Sequence, residues 1–255
     1  MPSQSTGGRR IAFVTGASQG LGQAIARALA SSGYDLAISS RRHEALTHTV
    51  KLVESAGARG VPIELDLRSP SSMEQAFAQI AGTLGDIDVL VNNAGVTLRK
   101  SALEVTPGEW DEVMTVNLTG TFFMCQQMGR HLVAKRKPGS IVNISSTHGL
   151  VGFPQRSAYG ISKAGILHAT RMLALEWAGH GIRVNAIAPG TIETPTRAEY
   201  FKAEPEARKA MLARVPLHRF ATPEDVAAAV CYLAGPQAGF VTGHTLTLDG
   251  GVTAY

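Results

Sequence analysis

Tyr159 and Lys163 stand four residues apart, separated by Gly160-Ile161-Ser162, so a helix would put a phenol and an ammonium on one face. That pairing suits proton transfer. A phenol ordinarily ionises near pH ~10, and acid–base catalysis works best when a group titrates near the working pH. Favouring the phenolate at pH ~7 takes roughly 4 kcal/mol. One cation at ~4–5 Å supplies about 3–4 kcal/mol at an effective dielectric of ~20, so Lys163 is expected to do most of the tuning. Taken alone, a Tyr-x-x-x-Lys pair reads first as a surface pair beside a packed ring. Its neighbours change that reading. Ser145 and Ser146 close the apolar run Val142–Ile144 and offer hydroxyls to a substrate oxygen. Asn117 falls inside a helical pattern, where asparagine is locally unfavourable.

A second constellation is the run Thr15-Gly16-Ala17-Ser18-Gln19-Gly20-Leu21-Gly22, set between an apolar strand pattern and a helical one. Glycines there let the backbone turn tightly and approach a pyrophosphate, whose charge meets a helix amino terminus. The spacing Gly-x-x-x-Gly-x-Gly differs from the commoner dinucleotide fingerprint and is weak without its strand-before, helix-after setting. The next strand's end bears on cofactor choice. A carboxylate there would accept from an adenosine ribose hydroxyl, but the residues are Ser39-Ser40-Arg41-Arg42. Small hydroxyls and a forked guanidinium suit a 2′-phosphate, so NADP(H) is expected over NAD(H). The plainer alternative is that Arg41 and Arg42 merely open a surface helix.

These residues must be positioned by regular elements. Strand patterns occur at 11–15, 36–39, 61–66, 89–91, 140–144, 183–187 and 245–248. Helical patterns follow at 21–31, 44–56, from Ser69-Pro70-Ser71 to 84, from Thr106-Pro107 to about 134, 159–180 and 223–233, with an amphipathic polar insert at 197–212. Such alternation predicts a single-domain α/β protein: a doubly wound parallel sheet of about seven strands with helices on both faces. Ligands of such sheets bind at the strands' carboxyl ends, where nearly every polar or glycine-rich peculiarity of this chain falls.

The 255 residues can bury one sizeable core, and 24 basic against 20 acidic residues give a mild net charge of +4. No basic run is dense enough for a nucleic-acid arm, and Lys135-Arg136-Lys137 reads as a solvated helix end that an acidic carrier could also use. Cys125 and Cys231 read as core filler, and the scattered histidines give a metal little support. Residues 1–8 read as a loose polar tail without a signal-peptide core, so a cytoplasmic location is expected.

Together these motifs resemble the short-chain dehydrogenase/reductase family over about residues 9–252. The match rests on Thr15 to Gly22, Asp66, Asn92-Asn93-Ala94-Gly95, Asn117, Ser146, Tyr159-x-x-x-Lys163, Pro189-Gly190 and Leu248-Asp249-Gly250-Gly251. The resemblance implies a Rossmann-type fold and hydride transfer between a nicotinamide cofactor and a carbonyl or secondary alcohol. It implies that Tyr159 is the acid in reduction and that Ser146, rather than Ser145, positions the carbonyl. Lys163 would tune the phenol and hold ribose, and Asn117 would hold a water relaying protons to Lys163. Cofactor contacts would come from Gly16, Ser18, Gln19, Gly20, Leu21, Gly22, Ser40 and Arg41. Asp66 and Leu67 would flank the adenine, and Asn93, Ala94 and Gly95 would line the wall. Pro189, Gly190, Ile192 and Thr194 would complete the nicotinamide end. Gln19 stands where many NADPH users place Arg or Lys, which leaves the phosphate clamp to Arg41.

The substrate surround, including a covering insert at about 191–219, is polar and basic, with Thr97, Arg99, Lys100, His148, Gln155 and Arg156. That suits a sugar acid or polyol ketone, with Arg197 available for a carboxylate. The chain also resembles 3-oxoacyl-carrier-protein reductases, for which acyl-carrier protein is the partner; Lys137 fits one gripping position, but His180 stands where a second Arg would be expected. The family further implies a homotetramer. A catalytically silent dinucleotide sensor and a nucleic-acid module are the rival readings, and the intact Asn117, Ser146, Tyr159 and Lys163 weigh against the first.

Overall fold

A computed structural model describes residues 8–254, with nothing said of the side chains at 195 and 196. The expected tail at 1–8 therefore lies outside the described residues except for Gly8. The strands are β1 (Arg10–Val14), β2 (Tyr34–Ser40), β3 (Gly60–Glu64), β4 (Val89–Asn92), β5 (Gly139–Ile144), β6 (Ile182–Pro189) and β7 (Thr245–Leu248). They form one parallel sheet in the order β3-β2-β1-β4-β5-β6-β7. The chain builds outward from β1 to β3, then crosses to β4 on the other side of β1. The strand order reverses between β1 and β4, and there a crevice opens at the carboxyl edge.

Apolar residues occupy both faces of the central strands, as a sheet covered on both sides requires. Val14, Val89, Val91 and Val142 point to one face and pack with α1 (Gly20–Ser31), α2 (Thr47–Ser55) and α9 (Pro223–Ala234). Phe13, Leu90, Ile141 and Val184 point to the other, against α3 (Pro70–Thr83), α5 (Gly120–Lys135) and α6 (Ser157–Trp177). The two-residue alternation of the pleat makes that division.

The helix at 107–134 is not continuous. α4 (Pro107–Met114) and α5 are joined by a π-helical turn, Thr115–Thr119, with Asn117 at its centre. Apolar periodicity cannot register one wide turn inside a helical run, and the out-of-place asparagine is its trace in the sequence. The insert is likewise two helices, α7 (Pro195–Ala203) and α8 (Pro205–Leu212). It carries its own small core of Phe201, Val215 and Phe220. Cys125 is buried as expected, whereas Cys231 is only half-buried.

Side-chain caps open four of the α-helices, with Thr194 capping α7 through the Arg197 amide. Ser69 accepts from the Ser72 amide, and Thr106 and Thr222 each form a reciprocal capping box with Glu109 and Asp225. α1 and α6, which bear the phosphate loop and Tyr159, have no side-chain cap. Replacing Thr222 with Ala should cost about 1 kcal/mol. At this chain length that lowers the melting temperature by roughly 2–4 °C, measurable by calorimetry.

Candidate active site

At the sheet's switch point the phosphate loop meets the end of β4. A Cβ on Gly16, whose φ is +67°, would lie 2.7 Å from the Ala94 Cα, and one on Gly22 would collide with the Gly16 carbonyl. Asn93 ties the two segments together, its amide donating to the carbonyls of Thr15 (3.0 Å) and Gly16 (2.9 Å). The Thr15 hydroxyl accepts from the amides of Asn93 and Ala94. The loop is thus held with bare backbone at the amino end of α1, whose first turn carries neither a capping side chain nor an acidic residue. That is the arrangement a pyrophosphate needs.

From this loop runs a cleft of ≈ 370 Å³. It is lined by Gly16, Ser18, Gln19, Leu21 and Gly22, by Ser40 and Arg41, by Asp66 and Leu67, and by Asn93, Ala94 and Gly95. A second pocket of ≈ 180 Å³ shares Leu21, Asn93, Gly95 and Val96 with it and continues to Ser146, Tyr159, Lys163, Pro189, Gly190 and Ile192. Most of the candidate cofactor residues thus line a channel of two adjoining pockets, with Tyr159 in the second. Thr194 lies beside the loop, since a Cβ on Gly20 would come 3.7 Å from its methyl group. The channel's dimensions and its bare amino terminus fit a dinucleotide.

Some details differ from the sequence expectation. The Ser40 hydroxyl donates to the Arg42 carbonyl at 2.5 Å, closing a local turn, and Arg41 lines the cleft beside it. Asp66 is paired with Arg68, whose Nη2 lies 2.7 Å from Oδ2 and which also lines the cleft. The Arg68 guanidinium holds the Asp66 carboxyl below its ordinary range. Arg68 was not singled out in the sequence, where only its place two residues after Asp66 could have marked it.

At the other end, β5 and α6 bring the candidate catalytic groups together. The Ser145 hydroxyl donates to the Lys163 carbonyl at 2.9 Å and is fully used in anchoring α6 to the sheet. Ser146 is left facing the pocket, hydrogen-bonded to Tyr159. Its Oγ accepts from the His148 amide at 3.2 Å and lies 3.1 Å from His148 Nδ1. Burial, reinforced by Arg156 and Arg197, pushes His148 down to about 4, so its ring is neutral at physiological pH. A proton on Nδ1 would make His148 the donor to Ser146 and free the serine proton; a proton on Nε2 would make Ser146 the donor.

Asn117 is fully buried and its amide is spent. Oδ1 accepts from the Val96 amide at 2.8 Å, and Nδ2 donates to the Val96 carbonyl at 2.9 Å and to Ser162 Oγ at 3.1 Å. The side chain therefore clamps the β4 loop to α6; any water relay here would fall to main-chain groups of the π turn. Gly95 packs between them, with a Cβ position 3.0 Å from Asn117 Oδ1 and 3.6 Å from Lys163 Nζ.

The expected tuning of Tyr159 by Lys163 is not what the protein alone produces. Lys163 Nζ donates to the Ile144 carbonyl at 2.9 Å and sits 5.7 Å from the centre of the Tyr159 ring. Burial raises the phenol above its ordinary value, while the hydrogen bond to Ser146 and the charges of Arg156 and Arg197 pull it back. Burial likewise lowers Lys163 to about 8. The Coulomb argument from spacing omitted desolvation, which opposes ionisation of both groups. The phenol is held protonated, the form an acid requires.

Residues 16–253 match the family described as Enoyl-(Acyl carrier protein) reductase. This chain is a short-chain dehydrogenase/reductase. It is 41% identical to 3beta-hydroxysteroid dehydrogenase 1 of Eggerthella lenta, over 95% of this chain and 93% of that one. It is 37% identical to a 3-oxoacyl-[acyl-carrier-protein] reductase of Thermotoga maritima, over 95% of this chain and 97% of its relative. A solved structure of a candidate 2-deoxy-D-gluconate 3-dehydrogenase from Agrobacterium tumefaciens, with bound NADP, superposes with a TM-score of 0.89 at 39% identity. That match covers 96% of this chain and 97% of that one. As a member of the family the chain is an oxidoreductase acting on CH–OH and C=O groups with a nicotinamide cofactor.

A buried ammonium answered by one carbonyl is a stability cost. With the folded value at about 8 against 10.5 ordinarily, the unfolded chain holds the proton more tightly, so the cost is fully present below pH 8. It disappears as pH rises from about 8 to 10.5. Lys163→Met should therefore stabilise the free protein at pH ~7 by about 1–2 kcal/mol after the lost hydrogen bond is counted. The gain, read as a higher melting temperature, should shrink as pH rises to ~10.

Proposed function

We propose that this reductase transfers hydride between NADP(H) and a ketone or secondary alcohol, with Tyr159 as the proton-transferring group. The observation that carries the reading is the single channel joining the bare amino end of α1 to Ser146, Tyr159 and Lys163. A nicotinamide bound there supplies hydride to the carbonyl carbon in reduction. Ser146 donates a hydrogen bond to the carbonyl oxygen and is positioned for the charge that develops on it. Tyr159, kept protonated by burial, gives its proton to that oxygen. The Lys163 ammonium stabilises the phenolate left behind. Asn117 acts as a clamp rather than as a reacting group, through its bonds to Val96 and Ser162.

NADP(H) is favoured because the end of β2 offers no carboxylate to a ribose hydroxyl and Arg41 lines the cleft. The Agrobacterium relative with bound NADP supports the same choice. A role on acyl-carrier protein finds less support. Lys137, the candidate gripping residue, lies 3.0 Å from Asp88, and Lys135 lies 3.1 Å from Asp86. Self-association is consistent with the apolar Phe122, Phe123, Ile161 and Leu175 exposed on α5 and α6. Among the described residues no helix is long and apolar enough to cross a membrane.

Tyr159→Phe should fold and bind NADPH while losing turnover by roughly 10²–10⁴-fold. Near wild-type turnover in steady-state assays would refute the assignment. Catalytic efficiency should be higher with NADPH than with NADH, and Arg41→Asp should shift the ratio toward NADH by at least ~10-fold. A wild-type preference for NADH would overturn the cofactor reading.

A further inference from the structure

Arg156 and Arg197 lie near Tyr159 and Arg99 near Arg156, none with a carboxylate within 4.0 Å among the described residues. Arg156 opens α6, three residues before Tyr159, and its Nη1 donates to the Leu98 carbonyl at 3.2 Å. Arg99 reaches the same corner, with Nε 3.1 Å from Gln155 Oε1. Arg197, in the first turn of α7, lies against the aromatic faces of Tyr200 and Phe201 at 5.9 and 5.8 Å. Elsewhere in the molecule Arg9, Arg59, Arg68, Arg208 and Arg219 each have an acidic partner within 4.0 Å. Among the described residues Arg99, Arg156 and Arg197 have none.

The like charges feel one another. Burial and then the charges of Arg197 and Arg99 hold the Arg156 guanidinium below its ordinary value. Arg156 and Arg197 act together on the His148 ring and on the Tyr159 phenol, and Arg156 stands at the start of α6, three residues before Tyr159. The His148 ring lies between them and the chemistry, 5.7 Å from Tyr159 and 4.3 Å from Phe153. With His148 neutral, the Phe153 ring and the positive charges of Arg156 and Arg197 border this corner. Half-buried cations left without a counter-charge cost stability, and an oxyanion entering between them would recover it through forked, charge-assisted hydrogen bonds.

We propose that Arg156 and Arg197, with Arg99 at the rim, form an anion subsite that selects ketones or secondary alcohols bearing a carboxylate or equivalent oxyanion near the reacting carbon. This rests on the hydride-transfer reading of the same pocket and narrows its substrate class to oxo acids and hydroxy acids. The positive corner also draws such substrates in, an effect that weakens as salt rises.

The test uses matched pairs of short oxo acids and their methyl esters, 3-oxobutanoate and 4-oxopentanoate among them, reduced with NADPH by wild type, Arg156→Gln and Arg197→Gln. The wild-type enzyme should favour the acid over the ester in kcat/KM for at least one pair. That ratio should fall by about tenfold or more in either variant, and Arg197→Lys should recover part of it. Esters reduced as well as acids throughout, or a ratio unmoved by both substitutions, would overturn the subsite. If no ketone of either kind is reduced, the hydride-transfer reading fails, and calorimetric titration of the protein with the same oxo acids then decides the subsite separately. Salt-sensitive binding abolished in the double variant upholds it; no binding, or binding unchanged in the variant, removes it.

Discussion

Lys163 is only 5% exposed and its ammonium meets no carboxylate, a condition proteins avoid unless something nearby depends on it. The surrounding architecture can be read outward from that charge. Ser145 binds its carbonyl, Ile144 accepts its proton, and Gly95 must lack a side chain because Nζ and the Asn117 amide come so close. The π turn at 115–119 exists in a helix that would otherwise run straight past; it sets the buried amide that bolts the β4 loop to α6. A buried cation of this kind is costly to the free fold and valuable to chemistry that leaves a phenolate beside it.

Desolvation is the second half of that balance. Removing water from Tyr159 raises the phenol, the opposite of what an adjacent ammonium does, so the protein by itself stores the tyrosine as an acid. His148 is stored as a neutral ring by the same means, with its Nδ1 3.1 Å from Ser146 Oγ. Each group rests in the protonation state that reduction of a carbonyl uses. The charges of Arg156 and Arg197 reach the phenol and pull it down against the effect of burial.

The two ends of the channel are built differently. At the phosphate loop the work is done by backbone, with Thr15 and Asn93 used only to hold it in place. At the other end side chains line the pocket, and two of them are fixed by a second contact: Ser146 by His148 and Lys163 by the Ile144 carbonyl. Backbone suffices where the ligand is a fixed anion, whereas a proton must be carried by a group whose own affinity can be set by its surroundings.

The sequence alone determined the seven strands and most helices, because a two-residue alternation, a helical period and Ser/Thr-Pro caps are local signals. It also marked most of the residues that line the two pockets, since glycine spacing and a Tyr-x-x-x-Lys step are properties of adjacent positions. It did not reveal the π turn, the split insert, the Asp66–Arg68 pair or the spent amide of Asn117, each of which is a departure from local pattern enforced by packing. Nor did it show how deeply Tyr159 and Lys163 are buried. Spacing along a helix tells how near a charge lies, but only the folded molecule decides how much water both groups lose, and here that loss outweighs the attraction.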